Sequence, residues 1–171
     1  MAVTGDAPTC EIVDLSTSKS LAVPAVADYL AQKYAVAGFV AGKVVACGGI
    51  RNLFSAEFDF QQNTWTETAK LPTARAQALS FLSNDGDTLY ILGGEERGGQ
   101  PLNSALKYHN GAINGTLTIP YTFVRACGVT VNSTHRLLAG GDSAGAWTNL
   151  AYLLEISTWQ WTKIPGMLKA R

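Results

Sequence analysis

The chain is poor in the residues that most often carry chemistry. Its 171 residues include two histidines, three cysteines and two methionines, and only 15% are charged. His109 and His135, two histidines at turn positions far apart in the chain, do not supply the clustered His and Tyr ligands of a copper site, so no metal and no cofactor is expected. Cys10, Cys47 and Cys127 show no Cys-x-x-Cys spacing and cannot all pair with one another. They read as small buried hydrophobes, with a disulfide through Cys10 as the alternative. Lys plus Arg equals Asp plus Glu at 13 each, scattered along the chain, which gives nucleic acid or an anionic membrane no electrostatic handle. The longest apolar stretch, 21–50, is broken by Asp28, Gln32, Lys33 and Lys43, so membrane insertion is not expected. Residues 1–6 carry neither the basic nor the apolar part of a secretory leader. Two sequons, Asn114-Gly115-Thr116 and Asn132-Ser133-Thr134, fit an extracellular protein, so the compartment stays open with a lean toward the cytoplasm.

What the chain does have is a stretch that occurs three times. An apolar run ends in two glycines at Gly48 and Gly49, at Gly93 and Gly94, and at Gly140 and Gly141. The spacings are 45 and 47 residues, a period that marks a propeller, solenoid or array. Each run is short and aliphatic, as a strand covered on both faces should be. Other landmarks keep step. Phe58-Asp59 precedes Trp65 by seven residues and Leu154-Glu155 precedes Trp161 by the same interval. Arg75 and Arg171 each follow their tryptophan by ten. The middle copy keeps Tyr108-His109 and Arg125 but has Gly115 where a Trp is expected, and Val13-Asp14 with Ser20 reads as the tail of an earlier unit.

This pattern resembles the kelch repeat: a hydrophobic strand ending in Gly-Gly, a following aromatic, a Trp, and an Arg before the next unit. The resemblance implies an all-β fold, a segment of a kelch-type β-propeller built from four-stranded antiparallel blades. The expected division is a remnant outer strand (about 9–16) and connector over 1–33, then repeats over 34–75, 76–125 and 126–171. A short helical turn is expected at 26–33. Three blades and a remnant do not close a ring, so a longer propeller is expected. Trp65 and Trp161 are expected to pack between neighbouring sheets.

In a four-stranded meander the second loop and the connection to the next blade share one end. The second loops are the longer ones here, and loops on a rigid scaffold carry recognition. That face is expected to display Arg51, Asn52, Phe54, Glu95, Glu96, Arg97, Gln100, Asp142, Ser143, Trp147 and Asn149, with Arg75, Arg125 and Arg171 at the channel mouth. In kelch domains that hold acidic peptides, arginines at the matching position point into the channel, and a guanidinium fork suits a carboxylate. The competing role for these arginines is to bond loop carbonyls and anchor adjacent blades.

Gly141-Asp142-Ser143-Ala144-Gly145 matches the nucleophile elbow of α/β-hydrolases. No His follows Ser143 and no oxyanion segment precedes it, so a hydrolase is not expected. Some kelch-type propellers are copper oxidases or sugar epimerases, but no paired carboxylates or Cys-His arrangement stands out. The expectation is a non-catalytic adaptor, a module binding a protein or peptide with acidic groups. The alternative is part of an extracellular kelch-type protein that binds glycan or is enzymatic only in full length.

Overall fold

The computed structural model describes residues 2–3, 10–14, 17, 19–25, 33–50 and 52–171. Every strand ladder in it is antiparallel, and no helix occurs among the described residues. An N-terminal sheet joins β1 (Ala2–Val3), β2 (Cys10–Asp14) and β3 (Lys19–Val23). The first four-stranded sheet is β4 (Val36–Val40), β5 (Lys43–Cys47), β6 (Phe54–Asp59) and β7 (Thr64–Lys70). The second is β8 (Leu79–Leu82), β9 (Thr88–Leu92), β10 (Ser104–His109) and β11 (Ala112–Thr118). The third begins with β12 (Cys127–Thr130) and β13 (His135–Ala139). It then carries a ribbon, β14 (Asp142–Ser143) with β15 (Ala146–Trp147), before β16 (Ala151–Glu155) and β17 (Gln160–Ile164) complete it. Each is a meander in chain order, the form of a propeller blade.

Turn chemistry sets the registers. Ala41 and Gly42, with φ of 47° and 83°, close β4 onto β5 so that Val40 faces Lys43. Asn110 and Gly111 do the same between β10 and β11 at 48° and 74°, a two-residue turn whose twist matches paired strands. The glycine doublets have a different task. Gly93 and Gly94 lie at φ 58° and 82°, and a Cβ would sit 2.7 Å from the Phe123 ring and 2.6 Å from the Ala76 carbonyl. Only glycine permits both the backbone angle and the approach.

The sheets stack face to face. Val36, Val45, Leu71, Leu89, Ile91 and Tyr108 form a core between the first and second. Phe81, Leu92, Ile119, Phe123, Leu138 and Leu154 form one between the second and third. Trp161 is half-buried against this second core, while Trp65 lies 5.3 Å from Phe58 and donates to the Pro24 carbonyl at 3.1 Å. The all-β, blade-built architecture expected from the glycine period is the one observed.

Two expectations need correction, and a third falls on residues that are not described. The N-terminal region holds a three-stranded sheet rather than a single outer strand, because residues 19–23 fold back to pair Val13 with Ser20. The helical turn at 26–33 falls outside the described residues except for Lys33. The middle repeat is also out of step with the spacing. Phe58 faces Trp65 and Leu154 faces Trp161, yet Tyr108 faces Ile113, not Gly115. The two-residue turn at Asn110 is shorter than its counterparts, so everything after it moves up by two. The second glycines report the result: Gly49, Gly94 and Gly141 donate to the carbonyls of Arg75, Phe123 and Arg171 at 2.7, 2.8 and 2.8 Å. Phe123, not Arg125, is the counterpart of Arg75.

Candidate functional site

The re-registered chain puts Tyr34, Gln77 and Arg125 at equivalent places, just before the innermost strand of each sheet. All three adopt left-handed backbone, with φ of 63°, 56° and 59°. They are joined in series, Gln77 N–H donating to the Tyr34 carbonyl at 3.0 Å and Arg125 N–H to the Gln77 carbonyl at 3.1 Å. Left-handed conformation costs a non-glycine residue on the order of 1–3 kcal/mol, and such residues gather at working sites. Three such residues stand in one row at one end of the stacked sheets.

Carboxylates join them through the same backbone frame. Ala76 and Glu95 exchange backbone hydrogen bonds at 3.0 and 2.9 Å, and Val124 and Asp142 exchange two at 2.8 Å. Glu95 and Asp142 each follow a glycine doublet and so stand beside Gln77 and Arg125. Gln77 Nε2 donates to Glu95 Oε1 at 2.8 Å, and Arg125 Nε donates to Gln77 Oε1. Between the arm 95–101 and the β14–β15 ribbon lies an open cleft of about 280 Å³, lined by Glu95, Gln100, Arg125, Asp142 and Gly145 among others. Asp142 Oδ1 is held by the Gly145 N–H at 2.7 Å, and Ser143 Oγ meets Thr122 Oγ1 at 3.0 Å. The volume is at the small end of ligand sites. Its walls offer one guanidinium, two carboxylates and an amide, which suits a compact ligand rich in hydroxyls. Among the described residues no group of His, Cys, Asp and Glu could hold a metal ion.

The other candidate residues take different places. Arg75 is 2% exposed and serves as an anchor. Its Nη1 donates to the carbonyls of Gly93 at 2.7 Å and Ser104 at 2.8 Å, and Nη2 to Ser104 Oγ at 2.6 Å. Burial pulls its pKa down to about 10, so it stays cationic at neutral pH but faces no cleft. Asn52 is buried, and its Oδ1 caps the Phe54 N–H at 2.9 Å at the start of β6. Arg97 is exposed on the far side of the arm, over a second open cleft of about 550 Å³ with Leu53, Pro72 and Glu96. Ser143 sits in β14 opposite Ala146, on no strand-to-helix elbow. Trp147 is 55% exposed on the same ribbon. Arg171 is exposed and bonds through its backbone carbonyl to Gly141. Arg51 lies outside the described residues. The structure thus brings Glu95, Arg125 and Ser143 to one cleft and its rim, and turns Arg75 inward. Tyr34 and Gln77 were missed, since neither residue type announces a left-handed backbone. Counting the short Asn110-Gly111 turn as a two-residue loss would have aligned Gln77 with Arg125.

No family model and no curated protein matches the sequence. Solved structures do. The structure of YjhT superposes with a TM-score of 0.76 at 17% identity, over 88% of this chain and 56% of that one. The chain has a partial kelch-type propeller fold. It spans little more than half the length of the structure it matches. YjhT is a sialic acid mutarotase, and that finding corrects the functional expectation. The architecture taken as a non-catalytic adaptor for a protein or peptide is one that, in YjhT, performs chemistry on a sugar. The expectations of no enzyme activity and of a protein or peptide partner are therefore withdrawn.

Proposed function

We propose that the cleft at the channel mouth binds, and within a kelch-type propeller acts on, a small sugar bearing a carboxylate. The observation that carries this is the placing of Arg125 between Glu95 and Asp142 around a cleft of about 280 Å³. A guanidinium holds a carboxylate by two parallel hydrogen bonds, and the flanking acids accept from sugar hydroxyls. The kelch fold shared with YjhT supports the sugar class.

Anomer exchange fits these groups. A carboxylate of Glu95 or Asp142 takes the proton of the anomeric hydroxyl as the ring C–O bond breaks, and a solvent water gives a proton to the ring oxygen. The carbonyl formed presents its other face, and closure with the reverse proton transfers gives the second anomer. No oxidant or second substrate is consumed, and general acid–base help of this kind contributes about 10²–10⁴-fold.

The test is proton NMR of freshly dissolved crystalline N-acetylneuraminate, following the two anomers with and without the chain. Acceleration that disappears in Arg125→Ala supports the reading. The absence of both acceleration and saturable binding of that sugar counts against it.

A further inference from the structure

Gln77 touches both charged side chains that flank it at the mouth. Its Nε2 faces the Glu95 carboxylate and its Oε1 accepts from Arg125 Nε. The orientation of the amide follows from its partners, because a carboxylate only accepts and a guanidinium only donates. No other side chain of similar length serves both at once: glutamate would repel Glu95, and an aliphatic would satisfy neither. Arg125 is gripped at its backbone N–H as well, by the Gln77 carbonyl at 3.1 Å. With Nε engaged, the edge carrying the two terminal nitrogens is left, and among the described residues neither nitrogen meets a protein acceptor. That edge presents two parallel N–H donors, a geometry that matches a carboxylate.

We infer that Gln77 is a positioning residue that fixes the Arg125 fork toward the cleft, and that Glu95, held by the same amide, makes the site prefer a singly charged carboxylate to a dianionic phosphate. This rests on the sugar reading above, since it names the group of that ligand the site reads. The charge balance gives the preference its direction. The cleft is lined by one guanidinium and two carboxylates. A carboxylate spends its single charge on the fork, whereas a dianion carries a second charge to Glu95 and Asp142, where like charges repel.

The test uses the full chain labelled with ¹⁵N, observing the arginine side-chain signals, with Arg125→Lys assigning the one of interest. The probes are sodium acetate and inorganic phosphate near pH 8, where phosphate is a dianion. Acetate should move the Arg125 signal saturably, at a concentration about tenfold below that phosphate needs, the scale of a few like-charge contacts. Gln77→Asn keeps a residue suited to left-handed backbone but is too short to span from Glu95 to Arg125. It should weaken acetate by about tenfold, as for one charge-assisted bond lost, with an unchanged circular dichroism spectrum. Glu95→Gln should narrow the gap between acetate and phosphate to about threefold or less. An Arg125 Nε signal and acetate affinity untouched by Gln77→Asn overturn the positioning role. An acetate-to-phosphate ratio untouched by Glu95→Gln overturns the selectivity. Acetate binding as stated without any binding of N-acetylneuraminate leaves the fork standing and removes the sugar reading. Sugar binding that leaves the Arg125 signal unmoved does the reverse.

Discussion

The two interfaces between the four-stranded sheets share a backbone frame and fill it differently. Between the first and second sheets runs a polar thread. Lys43 Nζ donates to Glu57 at 2.9 Å, Tyr108 OH donates to the same carboxylate at 2.8 Å, and Thr68 links Tyr108 to Ser55 at 2.8 and 3.1 Å. Between the second and third sheets runs an aromatic chain: Tyr90, Trp159, Trp161, Tyr152, Tyr121 and Phe123, with neighbouring ring centroids 5.0–6.3 Å apart. One carbonyl makes the comparison sharp. The first glycine of a doublet leaves its C=O for the connection to satisfy. At Gly93 the Arg75 guanidinium does so, and at Gly140 the Tyr121 hydroxyl does so at 3.1 Å. The repeat therefore fixes which backbone groups need partners, while the side chain that answers is free to change. An arginine near the end of a connection is no constant of this fold.

The largest effect should come from the aromatic interface. Phe123 is fully buried against Gly93, and Phe123→Ala should cost about 3–5 kcal/mol in urea unfolding, the range for a buried aromatic truncated to alanine. Arg75→Met fills similar space but leaves the Gly93 carbonyl unpaired and the Ser104 carbonyl with only its bond from the Gly93 N–H, and should cost about 1.5–3 kcal/mol by the same measurement. Tyr121→Phe removes one neutral hydrogen bond to the equivalent carbonyl and should cost only about 0.5–1.5 kcal/mol. A Tyr121→Phe loss as large as that of Arg75→Met would break the claim that the two residues do one task with different strength.

Alkali should show a smaller effect at both interfaces. Burial pushes the Cys47 thiol up to about 12 in the first and the Tyr121 hydroxyl up to about 12 in the second. Both folded values lie above the unfolded ones, about 8.5 for Cys and 10 for Tyr, so the folded state holds these protons longer. Their contribution is complete below the unfolded values and is lost as pH climbs toward 12. The unfolding midpoint should fall across that window, and Tyr121→Phe should flatten its upper part.

The fold was legible because glycine doublets are backbone requirements and leave a mark in the residues themselves. Gly94 cannot carry a Cβ against the Ala76 carbonyl, so the sequence must show it. The site was legible only in part. Arg125 and Glu95 were picked out from loop position, but Arg125 was aligned with Arg75, and the reason is physical. A hairpin can close with the two residues Asn110 and Gly111 as well as with a longer turn, and spacing counted from Tyr108 does not reveal which. Tyr34 and Gln77 stayed hidden because the left-handed backbone they share is imposed by the strand entry, not by their side chains. No carboxylate pair stood out in the sequence because Glu95 and Asp142 sit 47 residues apart and line one cleft only when two sheets stack.

The central claim is that Arg125 faces ligand while Arg75 holds the sheets together. Calorimetric titration of Arg125→Met with N-acetylneuraminate tests it most directly, with thermal unfolding recorded on the same sample. The account predicts affinity at least about tenfold weaker than in the unaltered chain, the loss of a charge-assisted hydrogen bond, with the unfolding midpoint unmoved. Unchanged affinity together with a midpoint lowered as far as in Arg75→Met would contradict it, and would make Arg125 a second anchor.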